Sequence, residues 1–194
     1  VGSGSVYSAT ITPITEGGVI VFVPENVTQD AATNGNELSN EFFIDYDATS
    51  PTVTMTTTAV SPINMPFTVD IVFDEDVFGF EVSDLLVTNG ATSNFTGSGT
   101  TYSVLISPSA TADVTVDIPA GVAADLATNP NNAASFTIEY DNTPPSAPVI
   151  THISEFTCST TVAITGDNTL EISGTAERGA QEEVSESGAL LGMV

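Results

Sequence analysis

One junction occurs twice in this chain, and the interval between its copies sets the size of what it can fold into. Ile44-Asp45-Tyr46-Asp47-Ala48-Thr49-Ser50-Pro51 is answered 94 positions on by Ile138-Glu139-Tyr140-Asp141-Asn142-Thr143-Pro144-Pro145. Each copy alternates apolar and acidic residues and then runs into proline. Alternation at period two describes a strand with one wet face, and a proline with its restricted predecessor describes a chain leaving a sheet in extended form. Each copy therefore reads as the last strand of one domain followed by the linker to the next.

The repeat extends beyond the junction. Gly2 to Pro51 lies over Gly97 to Pro145 with a one-residue adjustment: Tyr7 falls on Tyr102, Pro24 on Pro119, Asp30 on Asp125, and Asn34 and Asn36 on Asn129 and Asn131. A period near 95 residues matches the ordinary size of one domain. Residues 1–49 then correspond to the C-terminal half of a domain and residues 50–143 to a complete one. Residues 144–194, which do not align with the repeat, correspond to the N-terminal part of a further domain of different subtype. Half a sandwich exposes a sheet edge and an apolar face, so its complementary strands are expected upstream or from a partner.

Charge narrows the partners. One Arg (Arg178) and no Lys stand against 25 acidic residues, a formal charge of −24. Such a surface repels phosphate backbones and anionic headgroups, which argues against nucleic acid and against electrostatic membrane binding. Hydrophobic residues make up 41% and charged residues only 13%, so the chain has the apolar content to fold rather than stay disordered. Cys158 is the single cysteine, which excludes an internal disulfide. No apolar run is long enough to span a bilayer as a helix.

Within 50–143, strand-like runs are expected at Thr52–Thr58, Phe67–Phe73, Phe80–Val87, Thr101–Ile106, Val114–Ile118 and Ser135–Tyr140, with a less regular run near Ser93–Thr96. The one helical hint is Ala120–Asp125. Short strands this closely spaced, rich in Val, Ile, Thr and Phe, predict an all-β fold of tandem immunoglobulin-like antiparallel sandwiches.

Phe67-Thr68-Val69 leading to Phe73-Asp74-Glu75-Asp76-Val77-Phe78-Gly79-Phe80, then Ser83-Asp84-Leu85, Val87-Thr88-Asn89-Gly90 and Gly97-Ser98-Gly99-Thr100-Thr101-Tyr102, resembles the bacterial Ig-like repeat of very large surface adhesins. Asp167-Asn168-Thr169 with Ser173-Gly174-Thr175-Ala176-Glu177 resembles a second bacterial Ig-like class, although Gln181-Glu182-Glu183-Val184 is more acidic than the apolar strand that class implies. The resemblance implies an extracellular location on a bacterial surface, a role as spacer between neighbouring domains of one long chain, and support of cell adhesion.

Asp74-Glu75-Asp76 is the densest acidic cluster. In a seven-stranded sandwich the loop holding it and the loop holding Asp125 and Asn129 fall at the end where the chain enters, beside the linker residues Asp45 and Asp47; Asp141 repeats the linker position one domain later. Hard oxygen ligands from three segments are the donor set of Ca²⁺, the expected ion. The competing reading is an acidic rim in solvent. No nucleophile with a partner accompanies these acids and His152 stands alone, so no enzyme is expected. The alternative function is a glycan- or protein-binding Ig-like module. Trp is absent and the tyrosines occupy repeated positions, which leaves Phe78, Phe80 and Phe95 as its candidate sugar platform.

Overall fold

A computed structural model of the chain describes residues 2–153, 157–159, 162–164, 171–179, 183–186 and 189–193. It divides into two compact units, Val1–Asn142 and Thr143–Val194. The larger holds ten strands: β1 (Gly2–Ser3), β2 (Val6–Tyr7), β3 (Gly17–Val21), β4 (Phe42–Tyr46), β5 (Val53–Thr56), β6 (Phe67–Val77), β7 (Leu86–Thr88), β8 (Gly90–Pro108), β9 (Ala112–Ile118) and β10 (Ala134–Tyr140).

The last six of these make two antiparallel sheets of order β5-β6-β8 and β10-β9-β7. Strict alternation from Phe67 to Asp74 sends Phe67, Val69, Ile71 and Phe73 inward and the residues between them to solvent. Tyr102, Val104 and Ile106 of β8 line the same core, and Val114, Val116 and Ile118 of β9 meet them from the other sheet. Two half-wet sheets pressed on one apolar layer form the sandwich predicted from the strand pattern. Full burial of each such side chain is worth about 1.5–3 kcal/mol, so this layer is the main favourable term of the domain.

Three local expectations are corrected. Phe80–Val87 is not one strand: Val82–Asp84 form a 3₁₀ turn, and β7 begins only at Leu86. The Asp84 carboxylate accepts the Glu81 N–H at 2.7 Å, a side-chain bond that competes with a sheet ladder. The runs near Ser93–Thr96 and Thr101–Ile106 are parts of the single element β8, which doubles back on itself. Gly97 lies so close to Tyr102 that a Cβ there would sit 2.5 Å from the Tyr102 Cα, and at the open end the Ser109 N–H reaches the Asn89 carbonyl. Ala120–Asp125 is not helical, because its backbone groups bond outward: Ala124 exchanges both hydrogen bonds with Phe78, and Gly121 donates to Asn131.

Residues 17–46 repeat part of this pairing. In β3–β4 Gly17 pairs with Tyr46 and Val19 with Ile44; in β9–β10 Ala112 pairs with Tyr140 and Val114 with Ile138, the equivalent positions in the same register. Asn36 accepts from Val27 and Thr28 N–H and donates to the Pro24 and Glu37 carbonyls. Asn131 makes the same four bonds with Val122, Ala123, Pro119 and Asn132.

The smaller unit contains β11 (Val149–Ile153), β12 (Thr157–Ser159), β13 (Val162–Ile164), β14 (Ile172–Thr175), β15 (Glu183–Glu186) and β16 (Ala189–Met193), paired β11-β14, β12-β13 and β15-β16. Glu183 and Val184 do form strand despite their acidic surroundings, opposite Met193 and Gly192. Asp167–Thr169, Gln181 and Glu182 lie outside the described residues. Among the described residues no helix is long and apolar enough to cross a membrane.

Candidate metal centre

Leaving β4, the chain turns at Asp47, whose Oδ1 accepts the Thr49 N–H at 2.9 Å. Glu16 braces the next two residues, its Oε1 accepting from Ala48 N–H at 3.0 Å and from the Thr49 hydroxyl at 2.7 Å. Thr52 then fastens the chain to β6, donating its N–H and hydroxyl to the two Asp74 oxygens at 2.7 and 2.6 Å. These charge-assisted bonds hold the Asp74 carboxyl below the ordinary aspartate range. The loop after β9 grips the same linker from the other side: Asn129 Nδ2 donates to the Asp47 carbonyl at 3.3 Å and Asn132 N–H to the Pro51 carbonyl at 2.8 Å.

This geometry brings Asp47, Glu75 and Asp125 together, one carboxylate each from the linker, β6 and the loop, with ligand oxygens all within 4.8 Å of one another. Asp125 is buried, and its oxygens are already oriented by the Asn129 N–H and side-chain amide at 2.8 Å each. Glu75 is half-buried, and its carboxyl is pushed above the usual glutamate range by partial desolvation first, then by the charges of Asp125, Asp47, Asp74 and Glu16. No lysine exists to relieve this crowding, and Arg178 belongs to the smaller unit. Oxygens on opposite sides of a Ca²⁺ ion stand about 4.8 Å apart for bonds of about 2.4 Å, so the donor set fits that cation in chemistry and span.

Five of the eight candidate residues are not part of the carboxylate group. Asp74 is turned to Thr52. Asp76 lies beside Gly99, and its charge, after burial, helps raise the Tyr102 hydroxyl above its ordinary value. Asp45 sits on β4 opposite Gly18. Asn129 touches the site through Asp125 and Asp47 rather than as one of the clustered acids. Asp141, the repeat equivalent of Asp47, donates its N–H to the Ile63 carbonyl. Sequence reasoning missed Glu16, which is isolated in the chain. Its signal was the repeat: Thr111 is its equivalent, and Thr111 Oγ1 accepts the Asn142 N–H as Glu16 accepts that of Ala48.

The phenylalanines do not form a flat exposed platform. Phe80 is buried against Phe73 and Tyr102, with ring centroids 5.3 and 5.0 Å away, and Phe95 stacks on Tyr102 at 5.7 Å; only Phe78 is exposed.

Comparison with curated proteins and with solved structures gave no match. A family model described as bacterial Ig-like domain matches residues 47–142. The match starts at the first residue of the carboxylate group and stops two residues beyond β10, so it takes in the two packed sheets, the linker that enters them and all three clustered acids. Ig-like domains of this kind are structural modules of non-catalytic type. Residues 47–142 of this chain are a member of the bacterial Ig-like domain family.

Proposed function

We propose that the chain is an extender segment of a large bacterial surface adhesin, in which successive Ig-like domains are stiffened by Ca²⁺ at their joints and so support cell adhesion at a distance. One observation carries this reading: the carboxylates of Asp47, Glu75 and Asp125 converge on the linker itself, from three separate segments. An ion there ties the chain entering the domain to two of the domain's own elements, and so restricts the hinge rather than the core.

The test is a melt and a solution-scattering profile of the chain in EDTA and then in millimolar Ca²⁺. Extracellular Ca²⁺ modules bind at 10⁻⁴–10⁻³ M, and at about ten times the dissociation constant one site adds roughly 1.4 kcal/mol. For a domain of this size that raises the melting temperature by several degrees, with a narrower distribution of dimensions. An unchanged melt and unchanged dimensions identify the carboxylates as a solvated rim.

A further inference from the structure

We infer that residues 2–46 are a preformed acceptor for the complementary half of the same domain type, a polypeptide segment with the chemistry of residues 47–95, and that this segment is what covers their apolar face. The inference does not rest on the cation.

The complete domain shows what the face is for. Its β9–β10 pair, in the register of β3–β4, is covered by the inward row of β6. Position by position, the half-unit presents the equivalent apolar side chains uncovered: Tyr7 is 73% exposed where Tyr102 is 5%, Ile11 52% where Ile106 is 0%, Val23 50% where Ile118 is 0%, and Ile44 54% where Ile138 is 6%. Ile11, Val19, Val21, Phe42 and Ile44 line an open groove of about 400 Å³ on this side. An apolar strip of this extent is the mark of a docking surface.

Two further features fix the occupant. The Asp30 loop has the form that grips the linker in the complete domain: Asp30 accepts from Asn34 N–H and Asn34 Nδ2 as Asp125 does from Asn129, and Thr33 has the positive φ of Thr128, 69° against 73°. Its Asn34 occupies the position from which Asn129 reaches the Asp47 carbonyl. The strand edge also continues in register, since β1–β2 pairs Gly2 with Tyr7 where the complete domain brings Gly97 against Tyr102. The occupant therefore supplies an incoming linker, a β5-like edge strand and a β6-like strand of alternating Phe, Val and Ile.

The experiment places an additional copy of residues 47–95 ahead of Val1 in the full chain, where it joins as it does to Thr96. The expected result is a second cooperative unfolding transition comparable with that of residues 47–142, together with hydrogen exchange over residues 4–23 and 38–46 slowed by at least about a hundredfold. A matching chain carrying V69D and I71D in the added copy should show neither effect. Equal protection with and without those aspartates, or no protection in either chain, overturns the inference. So does protection of the same residues in the unmodified chain that grows with concentration and coincides with dimerisation, because the occupant would then be a second copy.

Discussion

Replacing Glu75 by Gln separates a cation site from a bare acidic rim by the sign of its effect. Glu75 faces Asp47 and Asp125 with oxygens within 4.8 Å. Two unit charges at that distance repel by about 0.9 kcal/mol in bulk water, and screening over about 8 Å at physiological ionic strength roughly halves this. The two neighbours together then cost about 1 kcal/mol, so in EDTA the E75Q variant should be more stable than the parent by about that amount, some 4–8 °C in Tm. With saturating Ca²⁺ the order should reverse or close, because the variant loses the roughly 1.4 kcal/mol increment expected from one site at ten times its dissociation constant. The pH dependence has a definite sign. The folded-state pKa of Glu75 is raised, chiefly by desolvation and then by Asp125 and Asp47, so folding favours its protonated form. Its contribution is fully present below the unfolded glutamate value and is lost as pH rises through the folded one. In EDTA the advantage of E75Q over the parent should therefore grow across that window. Differential scanning calorimetry of both chains, in EDTA and in Ca²⁺, measures all of this. If E75Q is no more stable than the parent in EDTA and keeps the full Ca²⁺ increment, both the repulsion and the shared ion are refuted.

Three other substitutions test the loop and the joint. Asn131→Ala removes four hydrogen bonds at a site only 2% exposed, leaving backbone groups that water reaches poorly, and should cost about 3–5 kcal/mol in urea unfolding; Asn36→Ala removes the same four bonds where solvent can replace them and should cost under about 1 kcal/mol. Asp74→Asn weakens the clasp on Thr52 and should lower the melt by a few degrees without altering the Ca²⁺ increment, because Asp74 is outside the carboxylate group. As Asp74 has a lowered pKa, its stabilisation is present above the ordinary aspartate value and disappears as pH falls through the depressed one, so parent and variant should converge in acid.

How much of this was legible in the sequence depended on whether the deciding interaction was periodic. The alternation from Phe67 to Phe73 announced β6 because one face is buried along its whole length. Phe80–Val87 misled because Phe80 is apolar for the sake of Phe73 and Tyr102, not of a strand, and the Asp84 bond that turns the chain has no period. For the site, Asp47, Asp125 and Asn129 are legible from sandwich topology, which puts the loop before the last strand at the end where the linker enters. Asp74, Glu75 and Asp76 read as one cluster because they are adjacent, yet β6 runs on to Val77, and in a strand neighbours point to opposite faces. Only Glu75 of the three joins the group. Glu16 reaches the linker by a tertiary approach across 32 residues, and only the equivalence with Thr111 encodes it.

The two copies of the Asp–Asn loop show what comes from local sequence and what from context. Both make the same hydrogen bonds and place a Thr at positive φ, although Asp125 and Asn131 are buried and Asp30 is exposed. Packing therefore does not create the loop: Asp30 and Asn36 close it beside strands whose apolar side chains are largely exposed. An element that is ordered before its neighbour arrives loses little entropy when the neighbour docks. The joint at Asp47 is accordingly built from parts already in position, with Asn129 offering its amide to the linker, Glu16 bracing Ala48 and Thr49, and Asp74 holding Thr52. What remains unbalanced is charge, since the bonds that position Asp47 and Asp125 also hold two carboxylates against Glu75. A hinge built this way is stiff in its hydrogen bonds and strained in its electrostatics, a combination that a divalent cation relieves and that monovalent salt relieves only in part.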